Sequence, residues 1–241
     1  MIRFAGAAIA VLLLATPAFA GPPYETDDPE PTDFGHWEIY NFIALDGRKG
    51  DYDGIAGFDL NYGAAKGLQL TTTLPLSFER VSPGRARSGV GDVELGAKYR
   101  FIDDANSGWQ AAIFPRVILP TAARDLGGDR ARLLLPVWVQ KDMGKTSVFG
   151  GGGYEINPGV DNRSFWQAGV AVTHEFSKSL SLGTEVAWQS ADTRGGKSST
   201  GINLGLIQKL GGPYSLLLAG GPSISGGEAS YHGYAALSLN F

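Results

Sequence analysis

Cysteine is absent from all 241 residues. That excludes a disulfide scaffold, a Cys-ligated zinc or iron–sulfur site, a thiol nucleophile and a lipid-modified amino-terminal Cys. A basic excess is missing too: the formal charge is −4, which gives no electrostatic case for nucleic acid. After the first twenty residues there is also no apolar run that could span a bilayer as a helix. The one uncharged stretch near that length, Leu210 to Gly227, is interrupted by six glycines and two prolines. What the chain has in excess is glycine, 35 residues spread along its whole length, with 26 aromatics. That mixture suits many strands and turns better than helices.

The amino terminus carries an export signal. Arg3 precedes an apolar run from Ala5 to Leu14, and Ala18-Phe19-Ala20 supplies the small-x-small pattern of a signal-peptidase site. Residues 1–20 are therefore expected to be a cleaved signal peptide, which leaves 19 basic and 24 acidic residues. The mature chain opens Gly21-Pro22-Pro23-Tyr24-Glu25-Thr26-Asp27-Asp28-Pro29-Glu30-Pro31. Prolines and carboxylates at this density cannot enter a helix or a sheet interior, so residues 21–34 are expected to form an extended acidic leader, periplasmic or lumen-lining. The Asp-x-Asp-x-Asp-Gly spacing of a calcium loop is missing, and no metal or other cofactor is expected there or elsewhere.

From Gly35 onward the dominant period is two. Val93, Leu95, Ala97, Tyr99 and Phe101 alternate with Asp92, Glu94, Gly96, Lys98 and Arg100. Charges on every second residue would cost several kcal/mol each against a dry core, so that face must meet water. The same alternation recurs over 68–79, 166–176 and 180–189. Twelve strands are predicted, near residues 36–45, 54–63, 67–79, 91–101, 108–119, 133–142, 145–155, 164–176, 179–189, 200–210, 213–221 and 231–241. In the sixth, Leu133 to Val139 is apolar on both faces, so either Trp138 or the Val137/Val139 pair could face lipid. Connections after odd strands read as long, such as Asp46–Asp53 and Pro222–Ser230, and those after even strands as short, such as Met143-Gly144. An even count of roughly ten-residue strands with this alternation predicts an all-β fold, a transmembrane antiparallel up-and-down barrel over residues 35–241. Trp37, Trp109, Trp166, Trp188, Tyr214 and Tyr231 fall at strand ends, where interfacial girdles form.

The final strand places Tyr231, Gly233, Ala235, Leu237, Leu239 and Phe241 at alternate positions and ends on Phe. Tyr231, Leu237, Leu239 and Phe241 resemble the terminal signal that the barrel-insertion machinery reads in Gram-negative outer-membrane proteins. Together with the leader, Gly35-His36-Trp37-Glu38, the strand Gly91–Phe101, Leu119-Pro120-Thr121 and Pro136–Lys141, it makes the chain resemble the transporter-like outer-membrane family labelled MetA-pathway of phenol degradation. The resemblance implies a location in the outer membrane, contact with its lipid, and transport of hydrophobic or aromatic compounds. It supplies no site residues.

Three function classes follow. For a passive channel or transporter, the lumen and constriction candidates are Asp92, Glu94, Lys98, Arg100, Arg116, Glu185 and Lys209, with Glu155 and Asn203 also expected inward. Mixed signs suggest a weakly selective pore or a charge-paired lumen, with Arg100 and Arg116 opposed by Asp92 or Glu94 at a constriction. For a structural or surface-interaction barrel, loop arginines Arg85, Arg87, Arg130 and Arg132 could clamp lipopolysaccharide phosphates bidentately. For a lipid-modifying enzyme the only bases are His36, His174 and His232, and no Gly-x-Ser-x-Gly elbow is present. The expectation is a non-enzymatic transport barrel for a small solute the sequence does not specify.

Overall fold

The computed structural model describes residues 23–241; the predicted signal peptide and its cleavage site lie outside them. Fourteen strand segments appear in chain order. They are β1 (Trp37–Arg48), β2 (Asp51–Ala65), β3 (Leu68–Arg80), β4 (Arg87–Val90), β5 (Glu94–Asp104), β6 (Trp109–Ile113) and β7 (Arg116–Ile118). The remainder are β8 (Arg132–Met143), β9 (Thr146–Ile156), β10 (Phe165–Ser177), β11 (Leu180–Gln189), β12 (Ser199–Gly211), β13 (Tyr214–Ser225) and β14 (Glu228–Asn240).

These segments make twelve staves of one closed antiparallel barrel. β4 and β5 both pair with β3 and form a single stave, interrupted at 91–93. β6 and β7 both pair with β8 and form the next, interrupted at Phe114-Pro115, where proline removes a ladder donor. Closure comes from β14 against β1, with Leu237 opposite Asn41 and Leu239 opposite Ile39. The ends of both strands are tied by Trp37 N–H donating to the Phe241 carbonyl at 2.8 Å.

Alternation sorts the side chains as expected. Leu70, Leu74, Leu76, Val170, Val186 and Ile202 are exposed on the outer face. Trp37, Trp109, Trp166, Trp188, Tyr214 and Tyr231 are likewise exposed. In β8 the ambiguous parity resolves inward for Trp138, which is 2% exposed, and outward for Val137 and Val139. Two expected long connections are in fact tight turns. β1 and β2 run on to Arg48 and Asp51, and β13 and β14 to Ser225 and Glu228, leaving two-residue turns. Gly226 and Gly227, at φ 61° and 89°, supply the left-handed backbone such a turn needs. The strands continue through polar residues because a ladder extending past the hydrocarbon still pairs its backbone groups.

Part of the lumen is filled. Tyr40, Phe42, Ile207, Leu217 and Ala236 form a buried apolar cluster inside the wall near the β1–β14 seam. The apolar residues here face inward, against the simple rule of a wet interior.

Candidate functional site: the lumen and its leader

The leader enters the barrel. It leaves the wall at Gly35, whose N–H donates to the Gly63 carbonyl at 2.8 Å. Moving inward, Gln69 Oε1 accepts from both the backbone N–H (2.7 Å) and the hydroxyl (3.0 Å) of Thr32, while its amide donates to Asn61 Oδ1. Deeper in, Lys98 Nζ contacts Asp27 Oδ1 at 3.0 Å and Asp28 Oδ1 at 3.5 Å and donates to the Glu30 carbonyl at 3.3 Å. Lys98 is only 4% exposed, so this cation leaves water only because the leader supplies its counter-charges. On the far wall Glu185 accepts backbone N–H bonds from Glu25 (3.0 Å) and Thr26 (2.9 Å) and a bond from the Asn203 side-chain amide (2.9 Å). A buried carboxylate is thus satisfied by three donors without a cation.

Steric room is provided by small inward residues. A Cβ on Gly205 or Gly183 would overlap Tyr24, and one on Gly169 would overlap the Thr26 hydroxyl. Tyr24 also packs on Phe149, with ring centroids 6.0 Å apart. In this dry setting burial pushes the Asp28 carboxyl up to about 7 in spite of Lys98, and the Glu30 carboxyl up to about 8 with help from Asp28.

Beside the leader lies a cavity of about 670 Å³, walled by β1, β2, β3, β5 and β7, by Arg132 of β8, Glu155 of β9 and Tyr234 of β14, and by the leader. Arg116 Nη1 meets Glu94 Oε1 at 3.3 Å, and Arg132 bridges Glu155 (3.1 Å) and Asp92 (3.5 Å). Asp92 also accepts N–H bonds from Ala122 and Gly128, which fold the loop after β7 over the chamber.

Comparisons with known proteins agree with this architecture. The family described as "Putative MetA-pathway of phenol degradation" matches residues 49–241. The chain belongs to this family. No match was found among functionally curated proteins. Among solved structures, the COG4313 outer membrane channel of Pseudomonas putida F1 superposes with a TM-score of 0.70 at 16% identity, covering 89% of this chain and 98% of that one. The NanC porin gives 0.60 at 10% identity, covering 84% and 98%, and the CymD monoaromatic hydrocarbon channel 0.50 at 8%, covering 88% and 89%. At such identities the likeness shows the shared barrel fold.

Within this phenol-degradation-family barrel the residues singled out from sequence separate into groups. Asp92, Glu94, Lys98, Arg116 and Glu155 meet around the chamber, and Glu185 and Asn203 anchor the leader on the opposite wall. Arg100 does not oppose Asp92 or Glu94: it binds Asp103 at 2.9 Å and Gln110 at 2.7 Å, because it lies six residues, about 20 Å, along β5 from Glu94. Lys209 lies exposed near the end of β12, away from the chamber. Of the loop arginines, Arg85 and Arg130 are exposed, and Arg87 is held by Glu79 and Asp125. Arg132 is a correction to the loop set: it starts β8 facing inward, so its guanidinium goes to the chamber acids rather than outward to phosphates. Tyr231, Leu237 and Phe241 are exposed on the outer face of β14, and Leu239, on the same face, is partly buried. His232 binds Asp46 at 3.2 Å and lies 4.0 Å from Glu25, while His174 pairs with the Thr146 hydroxyl at 2.8 Å.

Sequence reasoning missed Glu38, Asp46, Asp53 and Asp59, all lining the chamber from β1 and β2. The period-two signal was present, but Tyr40, Phe42 and Ala44 share the inward face of β1 and blur it.

Proposed function

We propose that this protein is an outer-membrane channel that passes small solutes, with hydrophobic or aromatic compounds as the class, by diffusion through the barrel. One observation carries the reading: the lumen of the twelve-stave barrel holds a polar chamber of about 670 Å³ where a purely structural barrel would be packed. Support comes from family membership and from neighbours whose printed names are channels or porins, one of them for monoaromatic hydrocarbons. On this reading residues 1–20 direct export, the terminal residues Tyr231, Leu237, Leu239 and Phe241 engage the insertion machinery, and the outer face meets outer-membrane lipid. The leader narrows the path and is the part that must shift for larger solutes. The barrel is read as non-enzymatic: the partners of His232 are carboxylates, with no serine among them.

The test is flux through liposomes holding the refolded mature protein, with graded sugars and small aromatics, with and without residues 21–34. Size-limited flux that widens on removal of the leader is expected. Correctly folded barrels with no flux in either form would refute the channel and favour a structural or surface-interaction barrel.

A further inference from the structure

We infer that the lumenal chamber selects for cations, and that among aromatic solutes it prefers those bearing a positive charge over those bearing a negative one. This rests on the channel reading and adds the charge class of the solute. The chamber is lined by twelve carboxylates and three basic residues. Each cation is already engaged: Lys98 by Asp27 and Asp28, Arg116 by Glu94, Arg132 by Asp92 and Glu155. Setting aside the four acids of the leader, the wall alone still presents eight carboxylates against those three.

Their placement is more telling than their number. Asp46 on β1, Asp53 on β2 and Glu79 on β3 stand directly opposite one another on a single rung, all lining the chamber near its mouth at the end away from the termini. Like charges directly opposite across strands oppose pairing, so this row works against the stability of the wall that carries it. Asp46 is answered by His232 and Glu79 by Arg87, but Asp53 between them has no ion pair within 4.0 Å among the described residues. Six residues deeper along β2, Asp59 is held by the Thr73 hydroxyl and likewise has no ion pair within 4.0 Å among the described residues. A row of acids at the mouth of a lumen raises the local concentration of cations and lowers that of anions.

The aromatic part has its own observation. Lys98 and Arg116 occupy the Phe114 ring at 5.1 and 4.8 Å, so rings in this chamber do seat cations, but that one is taken by the protein's own side chains and a solute is left the others. Tyr40, Phe42 and Tyr234 present further rings next to Glu38 and Asp59. Together they make a surface for a body that is apolar at one end and positive at the other.

The experiment uses the full mature chain. In planar bilayers under a KCl gradient the reversal potential should show K+ favoured over Cl− by roughly tenfold, the lower end of enrichment in a charged cleft. In liposomes, benzyltrimethylammonium should enter faster than benzenesulfonate, a probe of similar size and opposite permanent charge. Asp53→Asn should lower the cation preference about twofold, the effect of one charge across about 10 Å of water; Asp59→Asn serves if that variant does not fold. A conducting barrel with a reversal potential at zero or on the chloride side, or with benzenesulfonate entering as fast, overturns the inference while leaving the channel standing. An unchanged ratio in both Asn variants overturns the role given to these acids. A folded barrel that passes nothing refutes the channel and this inference with it.

Discussion

Replacing Lys98 by Met should free the leader without unfolding the barrel. Lys98 Nζ lies 3.0 Å from Asp27 and 3.5 Å from Asp28, with its side chain 5% exposed, and the two carboxylates are 16% and 2% exposed. Removing one partner of a buried ion pair costs about 3–5 kcal/mol, because the remaining charge is stranded away from water. Protonation of Asp28, whose carboxyl already titrates near 7, relieves part of that penalty, so the lower figure is used. About 3 kcal/mol corresponds to a rise on the order of 100-fold in the undocked fraction. The leader holds no Lys or Arg, but the Glu25–Thr26 bond is open to a glutamate-specific protease, which reports its release. When docking is fast relative to cleavage, the cleavage rate follows the undocked population. Cleavage after Glu25 should therefore accelerate on the order of 100-fold in Lys98→Met, with heat-modifiable gel migration unchanged. The triple change Lys98→Met, Asp27→Asn, Asp28→Asn should recover most of the protection, since no charge is then stranded. A single variant as resistant as wild type would refute the assignment of Lys98 as the leader's main anchor.

Three further outcomes follow from the same geometry. Gly205→Leu drives a side chain into the space of Tyr24 and should weaken docking by about 1–3 kcal/mol, seen as faster cleavage at Glu25 with the wall intact. Asp28, faced by Lys98, Asp27 and Glu38, and Glu30, faced by Asp28, Arg100, Asp142 and Lys98, both have carboxyls raised by burial to about 7 and about 8. The docked leader thus binds more protons than the free one, so docking is strongest below the ordinary carboxyl range of about 4, weakens as pH rises from there to about 7 to 8, and levels off above. Conductance should be higher at pH 8.5 than at pH 6, and the difference should vanish when residues 21–34 are removed. Val137→Arg places a charge on the lipid face at a cost of about 2–4 kcal/mol if it lies near the midplane, and should lower the folded fraction in a urea titration; an unaffected midpoint would contradict the inward parity of Trp138.

The barrel was legible because its two faces meet different solvents, and the sequence fails to alternate only where the lumen is dry. In β8 both Leu133–Val139 faces are apolar since Trp138 and Phe149, 2% and 1% exposed, fill the interior there. In β1 the inward Tyr40 and Phe42 conceal the parity of Glu38 and Asp46, and with it most of the acidic rung. The docking of the leader was not legible at all, because its partners are remote: Glu25 meets Asn203 178 positions away, and Thr26 meets Glu185 159 away. Local periodicity holds no information about such pairs. A trace of them does exist in the inward glycines of adjacent strands, with Gly183 and Gly205 directly opposite in the ladder, leaving a gap in the wall that Tyr24 fills.

The two kinds of attachment in this molecule imply two separable equilibria. The wall is held by continuous ladders closed on themselves, which cannot be opened at one stave without leaving backbone groups unpaired in lipid. The leader is held at a few points, Gln69, Lys98 and Glu185, by side chains that do not take part in the ladder hydrogen bonds. Water could solvate each of these groups once the segment moved, so releasing the leader costs only the difference between protein and water partners. Undocking should therefore precede unfolding of the wall by a wide margin, and a protease acting on the leader and a gel shift reporting on the barrel would follow different transitions in the same denaturant titration. Coincident transitions would mean instead that the leader is an integral brace of the wall, and that the path through the chamber is fixed.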